Sequence, residues 1–124
     1  MSKPAVLIVE DESIVAEQLA DAVRSQGFDV VGVSSSGRAA IEIAKERRPD
    51  VILMDVRIEG DLNGIETAII IQGHFEENIP IVFLTAMPGS KYPVLAAVEP
   101  YIYVNKPIRD EDLIEALHRA LTRK

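Results

Sequence analysis

The run Val51-Ile52-Leu53-Met54-Asp55 sets four apolar residues in succession directly before a carboxylate. A strand with one wet face alternates apolar and polar side chains, so an unbroken apolar run suits a strand covered on both faces, as in parallel sheets. Four further runs resemble it: Ala5–Val9, Asp29–Val33, Ile81–Leu84 and Tyr101–Val104. Between them the apolar spacing turns helical. Val15, Leu19, Ala22 and Val23 make one stripe, with Ser13 the expected N-cap and Gly27 the expected stop. Ala40, Ile43, Ala44 and Arg47 follow Ser36 and end before Pro49, which cannot continue a helix. Ile65, Ala68, Ile69 and Gln72 form a third stripe, which Gly73 is expected to weaken from within. Leu113, Leu117, Ala120 and Leu121 form the last, with Asp110, Glu111 and Asp112 opening it and Arg119, Arg123 and Lys124 at its far end, charges that suit the helix dipole. Pro88, Gly89 and Pro93 crowd the segment Ser90–Val98, so a short or irregular fourth helix is expected there.

Strict strand–helix alternation predicts a doubly wound α/β fold: a five-stranded parallel sheet with right-handed crossovers and helices on both faces. The 124 residues, 48 % of them apolar, offer about 60 positions for burial, enough for one domain spanning 1–124. Thirteen basic against 20 acidic residues leave a net charge of −7, which argues against a nucleic-acid backbone or an anionic membrane as main partner. The absence of cysteine excludes disulfides, thiolate metal sites and thiol nucleophiles. No apolar run approaches a membrane span or a secretory h-region, so a soluble, cytoplasmic location without membrane insertion is expected.

In an open parallel sheet, ligands bind beyond the carboxyl ends of the strands. Those points carry Glu10-Asp11-Glu12, Asp55, Thr85-Ala86 and Asn105-Lys106-Pro107. Closing the sheet should gather Glu10, Asp11 and Asp55 at one edge, with Thr85 and Lys106 facing them. Three carboxylates so close repel one another, and one ammonium cannot neutralise them. An oxygen-only set of this kind suits a hard divalent cation, Mg²⁺ before others. Lys106 supplies a point charge and Thr85 a hydroxyl donor for phosphoryl oxygens. Asp55, fixed by its apolar strand, is the natural nucleophile for an acyl phosphate. Glu12 reads better as a helix-cap or loop residue, His74 and His118 as surface residues, and Gly60 and Gly64 as turn glycines rather than a phosphate-cradling loop.

Four motifs in order, Leu7-Ile8-Val9-Glu10-Asp11-Glu12, Ile52-Leu53-Met54-Asp55, Phe83-Leu84-Thr85-Ala86 and Tyr103-Val104-Asn105-Lys106-Pro107, make the chain resemble the receiver domains of two-component response regulators, in the manner of single-domain chemotaxis regulators. The resemblance implies a flavodoxin-like strand order 2-1-3-4-5. It implies phosphorylation of Asp55 by a sensor histidine kinase or phosphotransfer protein, with Mg²⁺ held by Asp11, Asp55 and the backbone carbonyl of Arg57, and by Glu10 through water. Thr85 and Lys106 would then contact the phosphoryl group, and Tyr103 would turn inward on activation. Arg57 and Met87 would tune the lifetime of the phosphoryl group. On this reading the chain is a signalling phosphoacceptor rather than an enzyme acting on other molecules. It would signal to a downstream protein, with a homodimer through the fourth and fifth βα units as a further possibility. The loop Arg57-Ile58-Glu59-Gly60-Asp61-Leu62-Asn63-Gly64 is longer than the family's usual turn and looks like a variant found in a subset of receivers.

Two other functions remain to be weighed. A Mg²⁺-dependent phosphohydrolase would ordinarily carry an acid two residues after its nucleophile, where this chain has Arg57. A receiver-like adaptor that binds partners without phosphorylation would not need the acidic cluster, Thr85 and Lys106.

Overall fold

The structure is a computed structural model and describes residues 3–86 and 98–122. Its elements alternate as β1 (Ala5–Val9), α1 (Ser13–Ser25), β2 (Asp29–Ser34), α2 (Gly37–Glu46), β3 (Val51–Asp55), α3 (Gly64–Gln72), β4 (Ile81–Thr85), β5 (Tyr101–Asn105) and α4 (Asp110–Thr122). All four strand pairings are parallel and the order is β2-β1-β3-β4-β5, as expected. The segment predicted to form a short fourth helix, together with Met87, lies outside the described residues but for Val98; α4 belongs to the fifth βα unit.

Each strand sends alternate side chains to opposite faces, and each face has its own core. Val6, Ile8, Leu53, Val82 and Val104 pack against Leu19 and Val23 of α1 and Leu113 and Leu117 of α4. Leu7, Val9, Ile52, Met54 and Phe83 pack against Ala40 and Ile41 of α2 and Ile65 and Ala68 of α3. Every residue of β3 and β4 is buried, which explains their uninterrupted apolar runs.

The start of α1 differs from the sequence expectation. Ser13 is already helical; Glu12 occupies the N-cap position and makes no side-chain cap bond. The reason is local. The Glu10 carboxylate accepts the Glu12 N–H at 3.1 Å, which tightens the turn, and the first helical bond then runs from Ala16 N–H to the Glu12 carbonyl. Glu12 is therefore the cap by position, in line with its expected role. Helix α3 opens with a reciprocal capping box. The Asn63 side chain accepts the Glu66 N–H, and the Glu66 carboxylate accepts the Asn63 N–H, both at 2.8 Å. Ser36 caps α2 as expected, accepting the Ala39 N–H.

The glycines around α3 have separate reasons. Gly60 has φ +111, a left-handed turn conformation, as read from sequence. Gly64 is not a turn residue. A Cβ there would run into the Asp55 carbonyl oxygen and come within 2.9 Å of Val56 Cα, so α3 starts as close to the end of β3 as a backbone can. Gly73 is the C-cap of α3 and not an interior residue, which spares the helix the expected weakening. Just before it, Gln72 is 4 % exposed and ties α3 to the strand starts. Its amide donates to the carbonyls of Ile79 (2.7 Å) and Val98 (3.2 Å) and accepts the Ile79 N–H at 2.9 Å.

Candidate functional site

Strands β1 and β3 are neighbours with Val9 opposite Met54, so the residues that follow, Glu10-Asp11 and Asp55, leave the sheet side by side. Carboxylate oxygens of Glu10, Asp11 and Asp55 all lie within 4.8 Å of one another, as the sequence predicts. Glu10 and Asp55 are 2 % and 3 % exposed, so water screens their repulsion poorly. Lys106 reaches in from the end of β5. Its Nζ lies 2.7 Å from Asp55 Oδ2 and 3.5 Å from Glu10 Oε1. The Lys106 N–H donates to the Thr85 carbonyl at 2.7 Å, which fixes the lysine against the end of β4.

Main-chain donors hold further oxygens of the cluster. Asp55 Oδ1 accepts the Arg57 N–H and Asp11 Oδ2 accepts the Glu59 N–H, each at 3.1 Å. Residues Asp11, Glu12, Asp55, Arg57, Thr85, Ala86 and Lys106 line one cavity of about 260 Å³. Every predicted contact residue except Glu10 and Tyr103 therefore faces the same small space. Glu10 lies behind it, linked through Lys106 and Asp55. A larger groove of about 680 Å³ adjoins it and shares Glu12 and Lys106, with Val15, Leu19 and Ala22 of α1 and Pro107 and Ile108 on its walls.

Charge in the site is out of balance. Burial is the main cause that pushes the Glu10 carboxyl up to about 7; the Glu12 N–H opposes it, and the contact and charge of Asp55 reinforce it. Burial also works against the Lys106 ammonium, but the hydrogen bond and charge of Asp55, with the charge of Glu10, outweigh it and raise its pKa above the ordinary lysine value. One lysine thus leaves negative charge to spare. A set of oxygen donors from two or three carboxylates, with no nitrogen or sulfur ligand beside them among the described residues, fits a hard divalent cation such as Mg²⁺.

Tyr103 stands outside this space. It pairs with Phe83 across the β4–β5 ladder, two residues before the Thr85–Asn105 pair, so Thr85 and Tyr103 project from the same face. The Tyr103 ring is half-buried, 5.6 Å from the Phe83 ring and 5.6 Å from that of Tyr101. Burial and the neighbouring Tyr101 raise its hydroxyl pKa. His74 and His118 are exposed, as expected; His118 rests against the Phe28 ring at 5.5 Å. Sequence reasoning missed the backbone donors at Arg57 and Glu59, because an N–H carries no residue-type signal. It also missed Arg38, which forms a two-pronged ion pair with Asp61 of the long loop.

Comparison with known proteins gives a consistent picture. The sequence profile of the response regulator receiver domain matches residues 6–118. The chain is 34 % identical to the transcriptional regulatory protein PdtaR of Mycobacterium tuberculosis over 95 % of its own length and 57 % of that protein. It is 31 % identical to the DNA-binding response regulator MtrA of Mycolicibacterium paratuberculosis, again over 95 % of this chain and 51 % of the other. The chain thus spans a little over half the length of these curated relatives. Among solved structures, the signal receiver domain of a modulated diguanylate cyclase from Desulfovibrio desulfuricans superposes with a TM-score of 0.81 at 32 % identity, covering 98 % of this chain and 96 % of that one. The response regulator domain of Thermotoga maritima CheB gives a TM-score of 0.81 at 26 % identity, covering 97 % of both chains.

Proposed function

Because the chain belongs to the response regulator receiver family of two-component systems, we propose that it is a phosphoacceptor switch with Asp55 as the acceptor. One observation carries the reading: a nearly buried carboxylate at the end of the central strand, with an ammonium at 2.7 Å and two further carboxylates beside it. Asp55 attacks the phosphorus of a phosphohistidine on a sensor histidine kinase or phosphotransfer protein. The new O–P bond forms as the P–N bond breaks, and the departing histidine nitrogen keeps the electron pair. Asp11 and Asp55, the backbone carbonyl of Arg57 and, through water, Glu10 are the groups that would hold Mg²⁺. Bound there, the cation supplies the positive charge that lets an anionic phosphoryl group approach three carboxylates. Lys106 contributes the second positive charge directly. Hydrolysis of the acyl phosphate by water returns Asp55 and limits the signal in time. The adjoining groove, which shares Lys106 with the site, favours approach of the donor along α1.

The switching step runs through Thr85 and Tyr103. The Thr85 hydroxyl moves to the phosphoryl oxygens, and Tyr103, on the same face, turns into the space released. This changes the surface of the fourth and fifth βα units, where a downstream protein or a second copy of the chain docks. On this reading residues 1–124 act as one cytoplasmic receiver unit that turns over no substrate other than its own phosphoryl group and touches no nucleic acid itself.

The test is to incubate the chain with Mg²⁺ and a small acyl phosphate and weigh it intact. Addition of one phosphoryl mass, abolished by Asp55→Asn and by chelation of the metal, is expected. An unmodified mass, or a modified one in Asp55→Asn, overturns the reading.

A further inference from the structure

The long loop after β3 is pinned at two places. Ile58 is buried in the core over α2 and α3, and Glu59 forms an isolated bridge to Ser36. Between them and the capping box of α3, Asp61 takes both prongs of Arg38, from Nε at 3.2 Å and Nη2 at 2.7 Å, although both side chains are largely exposed. Helix α2 does not account for Arg38. An arginine in the first turn opposes the helix dipole, and α2 begins at Gly37. What the pair does is tie α2 to the loop two residues beyond Glu59, whose N–H donates to Asp11 Oδ2 at 3.1 Å. A donor on one carboxylate oxygen fixes the plane of the carboxylate and leaves the other oxygen directed at a metal, the usual work of groups that orient metal ligands.

We propose that Arg38 and Asp61 form a clamp that positions the Asp11 carboxylate for Mg²⁺ through the Glu59 N–H. The inference deepens the metal-site reading above and rests on it. Arg38 is a positioning residue; it touches neither metal nor phosphoryl group.

For Arg38, charge and position make opposite predictions, which makes the clamp testable. Removing a cation near an acidic site should by charge alone tighten Mg²⁺ binding, and removing an anion should weaken it. A clamp requires both removals to weaken it. Mg²⁺ titrations of the full chain, followed by amide chemical shifts of residues 10, 11 and 59, should show Arg38→Ala and Asp61→Asn each weakening binding about two- to fivefold, the range open to an exposed ion pair. The Glu59 amide should shift upfield in both variants before any metal is added, as its hydrogen bond loosens. The melting temperature in chelator should change little. The exchanged pair, Arg38→Asp with Asp61→Arg, should recover most of the affinity. Unchanged or tighter Mg²⁺ binding in Arg38→Ala, with the wild-type chain binding normally, overturns the clamp alone. A wild-type chain that does not bind Mg²⁺ overturns the clamp together with the metal-site reading.

Discussion

Substituting alanine at the two ends of α3 should have opposite effects, although both changes replace glycine with a better helix former. At Gly64 an added Cβ would strike the Asp55 carbonyl oxygen and lie 2.9 Å from Val56 Cα and 3.0 Å from the Asp55 carbonyl carbon, all of them backbone atoms. Carbon atoms in contact prefer about 3.5–4.0 Å, so the first turn of α3 must retreat by roughly 1 Å. That retreat stretches the Gly64 N–H bond to the Val56 carbonyl, now 2.8 Å, a loss of about 1 kcal/mol. Overpacking against an unyielding backbone adds about 1–3 kcal/mol, and the helix preference of Ala returns about 1 kcal/mol. The net loss is about 2 kcal/mol, which for a domain of this size lowers the melting temperature by about 8 °C. At Gly73 the backbone is already right-handed helical and the nearest atom to a new Cβ is the Ile70 carbonyl oxygen at 3.4 Å. Gly73→Ala should be neutral or stabilise by up to about 1 kcal/mol. Urea unfolding of both variants, with unchanged m-values, is the measurement. If Gly64→Ala is as stable as the wild type, close approach of α3 to β3 does not constrain the fold as argued.

Other perturbations test other links. Gln72→Leu leaves the buried Ile79 N–H without the acceptor it now has at 2.9 Å and removes two further hydrogen bonds, so a loss of about 3 kcal/mol is expected in urea unfolding; a loss below about 1 kcal/mol would show that the strand starts are held by other means. Ser36→Ala removes the cap on the Ala39 N–H and should cost about 1 kcal/mol in urea unfolding. Lys106→Met removes the ammonium 2.7 Å from Asp55. Calorimetric titration should show Mg²⁺ bound at least as tightly as by the wild type, since a competing cation has gone; weaker binding would mean that Lys106 organises the carboxylates rather than neutralising them.

Fold and site were legible in the sequence to different depths. Strands β1, β3 and β4 announce themselves because burial on both faces forbids polar interruptions, and the site residues follow from the rule that ligands bind beyond strand ends. Strand ends were read one residue short at Ser34, Asp55, Thr85 and Asn105, because polar residues there still pair with their neighbours. Gln72 was rightly placed in the buried stripe of α3, yet only the positions of Ile79 and Val98 explain why an amide belongs there. The Asn63-x-x-Glu66 capping box was readable from its spacing and was overlooked in favour of the glycines beside it. The Arg38–Asp61 pair was not readable at all. Two exposed charges 23 residues apart belong to no periodic pattern, and their pairing depends on how the long loop folds back on α2.

The opposition of Val9 to Met54 has a consequence for what the cell can read. Acid groups that meet only because two neighbouring strands are threaded in one alignment cannot assemble in a molecule whose strands have slipped, since a one-residue slip turns every side chain to the other side. Such a molecule has no pocket to charge and stays mute. If the chain works as the proposed switch, transmission of the message is thereby reserved for correctly folded copies, with no separate inspection needed.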